Sequence, residues 1–157
     1  MMNILGYYEE AIVNGEIIED ALQKEILVHM QRLDDELKIP QQSSWWPWHT
    51  PPPIRGLYIY GPVGAGKTYL VDLFFRAMSE KKKLRFHFHH FMQQIDAQLR
   101  MVQGQKDPLK HIAKTIAKST RVLCFDEFLV NDVAYAMILA ELLQALFKEG
   151  VILIISS

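Results

Sequence analysis

The octet Gly61-Pro-Val-Gly-Ala-Gly-Lys-Thr68 brings together three glycines, an amine and a hydroxyl at the spacing that cradles a polyphosphate. Gly61, Gly64 and Gly66 allow the backbone to curl until its N–H groups face an anion, and a helix starting behind them adds its positive end. Lys67 would then reach the β- and γ-phosphates, and the Thr68 hydroxyl would coordinate Mg²⁺, which otherwise keeps waters and phosphate oxygens as ligands. The setting supports this chemistry: a strand-like run, Leu57-Tyr-Ile-Tyr60, precedes the octet and a helix-like stretch comes after it. A flexible turn whose lysine points into solvent is the plain alternative, and it needs neither flank. The candidate contacts to a nucleoside triphosphate are Gly61, Pro62, Val63, Gly64, Ala65, Gly66, Lys67, Thr68 and Tyr69.

A second constellation lies farther along. Val122-Leu-Cys-Phe125 is an apolar run that ends in Asp126-Glu127, matching the Walker-B arrangement of nucleotide-hydrolysing proteins. Asp126 would hold Mg²⁺ through water. Glu127 would orient and polarise the attacking water as a general base. The same pair read alone could be an acidic strand end, but beside a phosphate loop the two motifs reinforce each other, and the adjacent glutamate favours hydrolysis over transfer to a small molecule.

Other side chains invite chemistry with less support. His87, His89 and His90 suggest a metal, since alternate residues on a strand share one face; third and fourth ligands are not evident, and a structural or substrate-facing role at the end of a strand is preferred. Trp45-Trp-Pro-Trp48 could stack on bases or a peptide, although anchoring its connector or lining the adenine side of the pocket explains it as well. Arg55 reads as a surface arginine. No constellation attaches to His29, His49 or His111.

Alternating strands and helices must position these groups. Ile18, Leu22, Ile26, Met30, Leu33 and Leu37 recur at three- or four-residue steps and predict an amphipathic helix that packs on the nucleotide domain, with a partner-protein surface as the alternative. Pro47 and Pro51-Pro-Pro53 make a stiff connector. Beyond the phosphate loop, Leu70, Val71, Phe74, Phe75 and Met78 form one helical face, which Lys81-Lys-Lys83 would close. Leu84 to Phe88 alternates as a second strand, and Phe91 to Met101 is helical. Asp107-Pro108 opens a helix reaching Lys118, Asp132 caps one reaching Lys148, and Val151 to Ile155 is an apolar fourth strand. The pattern predicts an α/β layered domain with a mostly parallel sheet flanked by helices. It divides into a helical segment and Pro-rich connector at 1–53 and a phosphate-binding core at 54–157.

Composition narrows the classes. Half of the 157 residues are apolar, and 17 basic side chains face 18 acidic ones, so one substantial core can form and no global field draws the chain to nucleic acid. The lone Cys124 allows no internal disulfide, and the N-terminal residues lack a leader's basic bias, which fits a reducing cytoplasm. No apolar stretch approaches the roughly 20 residues that cross a bilayer; peripheral membrane association is not intrinsic.

Four blocks carry a family resemblance: Gly56-Leu-Tyr-Ile-Tyr-Gly-Pro-Val-Gly-Ala-Gly-Lys-Thr68, Phe86-His-Phe-His-His-Phe-Met92, Leu123-Cys-Phe-Asp-Glu-Phe128 and Asn131-Asp-Val-Ala-Tyr-Ala-Met137. With Tyr8-Glu-Glu-Ala-Ile12 and Gly104-Gln-Lys-Asp-Pro-Leu109, they resemble the AFG-one-like ATPases, the AAA+ branch that holds the ZapE-type cell-division ATPases and the mitochondrial Lace-type proteins. The resemblance implies a P-loop NTPase fold, Mg-ATP hydrolysis, and a protein partner such as a division-ring component in bacteria or inner-membrane quality control in mitochondria. It also implies a fifth strand, a sensor asparagine, an arginine finger and a C-terminal lid, whereas this sequence stops at Ile155-Ser-Ser157. The expectation is therefore a core truncated after its fourth strand, with an exposed strand edge, doubtful ring formation and feeble hydrolysis, since an arginine finger supplies about 10³ to 10⁵ in rate. Two further readings stay open: a non-hydrolysing nucleotide-binding scaffold for a partner protein, and a small-molecule kinase, for which no acceptor pocket or lid is readable.

Overall fold

The computed structural model describes residues 3–39, 54–60 and 66–157, so the Pro-rich connector, Trp45 to Trp48, His49 and Gly61 to Ala65 lie outside the described residues. The chain forms two compact units, residues 1–81 and 82–157.

The first unit contains helices α1 (Ile4–Val13) and α2 (Ala21–Lys38), strand β1 (Leu57–Ile59) and helix α3 (Lys67–Ala77). Both N-terminal helices start on side-chain caps: Asn3 Oδ1 accepts the Gly6 N–H at 2.8 Å, and Asp20 Oδ1 accepts the Leu22 N–H at 2.8 Å. The apolar periodicity anticipates α2 and the buried face of its later turns. Met30, Leu33 and Leu37 are buried as the stripe predicts, Leu27 joins them and Ile26 is half-buried, whereas Ile18 precedes the helix and Leu22 in its first turn is exposed. α1 is an element the periodicity did not indicate; it buries Ile4, Tyr8 and Ala11 and packs against α2 and α3.

Asp34 is the polar residue inside this packing, only 2% exposed. Its Oδ1 accepts both the backbone N–H and the hydroxyl of Ser79, at 3.0 and 3.1 Å, and its Oδ2 faces Lys38 Nζ at 3.2 Å. A buried carboxylate demands such partners, and this one ties α2 to the turn that leaves α3. On α3 the buried face is Leu70, Val71, Leu73 and Phe74, with Phe75 half-buried. Contrary to the expectation from Lys81-Lys-Lys83, these lysines do not close α3. The helix ends at Ala77 with Arg76 in its last turn, and Lys83 already opens the next strand.

The second unit contains β2 (Lys83–His87), α4 (Phe88–Met101), α5 (Pro108–Ser119), β3 (Val122–Asp126), α6 (Val133–Lys148) and β4 (Ile152–Ser156). Its strands are parallel, with β3 between β2 and β4; Lys83 stands opposite Val122, His87 opposite Asp126, and Val122 opposite Ile152. Val122, Leu123, Cys124 and Phe125 are all buried, as a parallel strand covered on both faces requires. One core gathers Phe88, Phe91, Met92 and Ile95 from α4, Leu109 and Ile112 from α5, Leu139, Leu142 and Leu146 from α6, and Leu123, Phe125 and Leu153 from the sheet. Asp132 caps α6 as its position suggests, Oδ1 accepting the Ala134 N–H at 2.8 Å.

Candidate functional site

Among the described residues, the phosphate-loop motif begins at its last glycine. Gly66 has φ +79° and ψ +16°, a left-handed conformation that side-chain-bearing residues resist. Its carbonyl accepts the Leu70 N–H at 3.1 Å, so the chain turns from this glycine directly into α3. Lys67 is the first helical residue and half-buried, Thr68 is next and exposed, and Tyr69 is half-buried. Glycine carries no side chain that could cap the first turn, which leaves the N-terminal N–H groups of an eleven-residue helix in the setting that favours anions. Gly61, Pro62, Val63, Gly64 and Ala65 fall outside the described residues.

The carboxylate pair sits at the carboxyl end of β3, the central strand of its unit. Asp126 is held by Arg85 through a two-pronged contact, Nε to Oδ2 at 2.6 Å and Nη2 to Oδ1 at 3.1 Å. Their side chains are 22% and 19% exposed, so the pair is well shielded from water, the geometry in which arginine holds a carboxylate best. The strand register explains the partnership. Arg85 stands opposite Cys124 on β2, and its long side chain reaches one alternate position along the same face to Asp126.

Glu127 leaves the strand with φ +53°, and the next residue, Phe128, donates its N–H to the Ser156 carbonyl at 3.0 Å. This turn projects the Glu127 side chain outward, 82% exposed, with its Oε2 3.6 Å from His87 Nδ1. That distance is too long for a hydrogen bond. The left-handed backbone is therefore stabilised by Phe128, through its strand-end bond and its ring packed 4.6 Å from that of Phe88. A left-handed backbone at a residue other than glycine is a strained conformation.

The donor set can be tested against the Mg²⁺ that the sequence implies. Each Asp126 oxygen accepts one N–H from Arg85 and retains a second lone pair. A hydrated cation held through its own water fits this carboxylate, whereas direct coordination would compete with the guanidinium charge. No cluster of three or more His, Cys, Asp or Glu side chains suited to a metal occurs among the described residues, and a cation that relies on phosphate oxygens and water needs none.

The histidines behave differently from a strand-face metal set. β2 ends at His87, and His89 and His90 are already on α4, so period-two spacing does not apply to them. His89 Nε2 instead pairs with the Gln93 side chain at 3.2 Å, one helical turn on. Together Arg85, Phe86, His87, His90, Gln93, Gln94 and Ala97 line an open groove of about 610 Å³. His87 stands at the end of β2, where the sequence placed it, and Arg85 is the site residue that the motifs did not indicate. Arg85 shares one face of β2 with Lys83 and His87, and that basic face, set against the apolar Leu84 and Phe86, was the available signal. Arg55, His29 and His111 are exposed, as a surface role expects, and Cys124 is buried. No helix among the described residues is long and apolar enough to cross a membrane.

Comparison with known proteins adds a family and a fold. A family profile described as AFG1-like ATPase matches residues 2–157. The Cell division protein ZapE of Escherichia coli (strain K12) is 49% identical over 109 residues, covering 69% of this chain and 28% of the relative. Lactation elevated protein 1 homolog B of Danio rerio is 34% identical over 151 residues, covering 89% of this chain and 30% of the relative. The chain thus spans under a third of the length of these curated relatives. Among solved structures, that of DnaI superposes with a TM-score of 0.56 over 89% of this chain and 68% of the other, at 18% identity, a likeness of fold alone.

Proposed function

Since the chain belongs to the AFG1-like ATPase family and has the α/β P-loop NTPase fold of the AAA+ type, we propose that it is the nucleotide-binding portion of an ATPase that hydrolyses Mg-ATP. The observation that carries this reading is Gly66 in its left-handed conformation delivering Lys67 and Thr68 into the first turn of α3. An ammonium and a hydroxyl in that turn, behind a glycine-rich segment, suit a triphosphate and its cation better than any other ligand class.

In this reading the backbone from Gly61 to Gly66 and the side chain of Lys67 bind the phosphates, with Pro62, Val63, Ala65 and Tyr69 completing the loop's contacts. Thr68 and Asp126 would hold Mg²⁺, Asp126 through water, because Arg85 already occupies one lone pair on each of its oxygens. When bound, the cation supplies neutralisation of charge on the phosphate oxygens. Glu127, exposed and unhindered, orients the attacking water and accepts its proton. His87 lies close enough to bias where the Glu127 carboxylate points. The partner is a protein, one of cell division if the role in the name of the Escherichia coli relative holds here. A cytoplasmic location fits that role.

Calorimetry with Mg-ATP, paired with a phosphate-release assay, tests the proposal. Heat of binding that disappears in Lys67→Ala, and turnover that falls in Glu127→Gln with affinity intact, are the expected results. Absence of binding by well-folded protein overturns it. The Asp126–Arg85 pair favours one second reading, a scaffold that binds nucleotide without hydrolysing it, since a carboxylate so firmly engaged serves the cation less readily. Binding with no phosphate release at high protein concentration would select that reading.

A further inference from the structure

Tyr8 on α1 is only 1% exposed, and its hydroxyl is fully employed. It accepts the Asp20 N–H at 3.3 Å and donates to Gln23 Oε1 at 3.1 Å. Gln23 lies in the first turn of α2, and once its carbonyl end is taken by Tyr8 the opposite, N–H-bearing end has one direction left. That end lies against Gly66. A methyl-sized side chain built on Gly66 would stand 2.5 Å from Gln23 Nε2, so the amide rests on the bare backbone of the glycine that precedes Lys67.

A nitrogen that carries only donors, held by a buried hydroxyl relay against the last glycine of a phosphate loop, is more specific than packing requires. Elsewhere the inward face of α2 is closed with Leu27, Met30, Leu33 and Leu37, and its other polar group, Asp34, is engaged by Ser79 and Lys38. An apolar side chain at position 23 would cover Gly66 equally well and would not need Tyr8 to orient it. An apolar group would leave the buried Tyr8 hydroxyl without its acceptor, and it would place no N–H beside a segment that must tolerate concentrated negative charge.

Resting on the proposal that Gly66 to Thr68 bind a nucleotide's phosphates, we propose that Gln23, oriented by Tyr8, is a positioning residue of the phosphate-binding loop. Its amide, held against Gly66, fixes the backbone that delivers Lys67 and sets a neutral N–H dipole, with no negative charge, beside the phosphates. The two N-terminal helices are thereby part of the nucleotide site. The ligand class is the polyphosphate chain and not the base, so the contribution of Gln23 grows with the number of phosphates.

Gln23→Glu provides the test, because it preserves shape and the acceptor for Tyr8 while replacing the N–H donors with an anionic oxygen. Competition against a fluorescent ADP should give an affinity for ATP lowered about tenfold, for ADP less, and for AMP least, as expected for a new charge near successive phosphates. The loss should shrink as potassium chloride is raised. Equal weakening for all three nucleotides, insensitive to salt, or no weakening at all, overturns the assignment. Should Gln23→Glu fail to fold, Gln23→Met serves: a several-fold loss for ATP, larger than for AMP, supports the role, and wild-type affinities refute it. Lys67→Ala separates the two levels of inference. Wild-type binding that Lys67→Ala abolishes upholds the nucleotide site, and a negative result with the position-23 variants then counts against Gln23 alone. A wild-type protein that binds no nucleotide removes both.

Discussion

The phosphate-loop region and the carboxylate strand end are fixed in place by opposite kinds of force. Around Gly66 the restraints are neutral: a left-handed backbone, a tyrosine hydroxyl and a glutamine amide. Around Asp126 the restraint is ionic, a guanidinium fork on its carboxylate. The difference reflects the kind of ligand each region is suited to receive. A site for anions must stay free of competing anions while offering donors, and neutral groups do so without disturbing Lys67. A site that holds negative charge in a partly dry environment must be compensated before any cation arrives.

Breaking each side should therefore look different. Removing the amine with Lys67→Ala should lower Mg-ATP affinity by about 10²-fold or more, read by calorimetry, with the fold intact. Glu127→Gln should reduce phosphate release by about 10²-fold while leaving nucleotide affinity unchanged, read in a coupled assay. On the ionic side the consequence is structural. Arg85→Met should destabilise the chain by about 2 kcal/mol in urea unfolding, because Asp126 is left shielded and without its fork. Adding Asp126→Asn should recover part of that loss, and simple additivity of the two substitutions would show that the pair is not coupled. Smallest is Gly66→Ala, a penalty of about 1 to 2 kcal/mol from the left-handed backbone and from pushing the Gln23 amide off its bond with Tyr8.

Much of this molecule is readable from local pattern. The octet at 61–68 and the pair at 126–127 are contiguous, so spacing alone exposes them, and Asp132 predicts its own helix start because capping acts over two residues. The residues that hold those motifs are not contiguous. Arg85 is 41 positions from Asp126, and no periodicity in β2 announces which carboxylate it will meet. Gln23 sits in a helical run where a glutamine looks like any solvated position, and only the fold of α1 and α2 turns it toward Gly66. α1 itself escaped notice because Ile4, Tyr8 and Ala11 form too short a stripe to stand out. The run from Phe86 to Met92 misled in another way. β2 passes into α4 with no intervening loop, His87 serving as both last strand residue and helix cap, and alternation along a strand cannot anticipate such a junction.

Glu127 holds a backbone angle that glycine would adopt freely. Replacing it by glycine should raise the midpoint of unfolding, a gain of up to about 1 kcal/mol once the greater freedom of the unfolded chain is subtracted, while turnover vanishes. Heat tolerance and catalysis would then move in opposite directions at a single position, the signature of a residue kept for its carboxylate although the fold that carries it would be steadier without one.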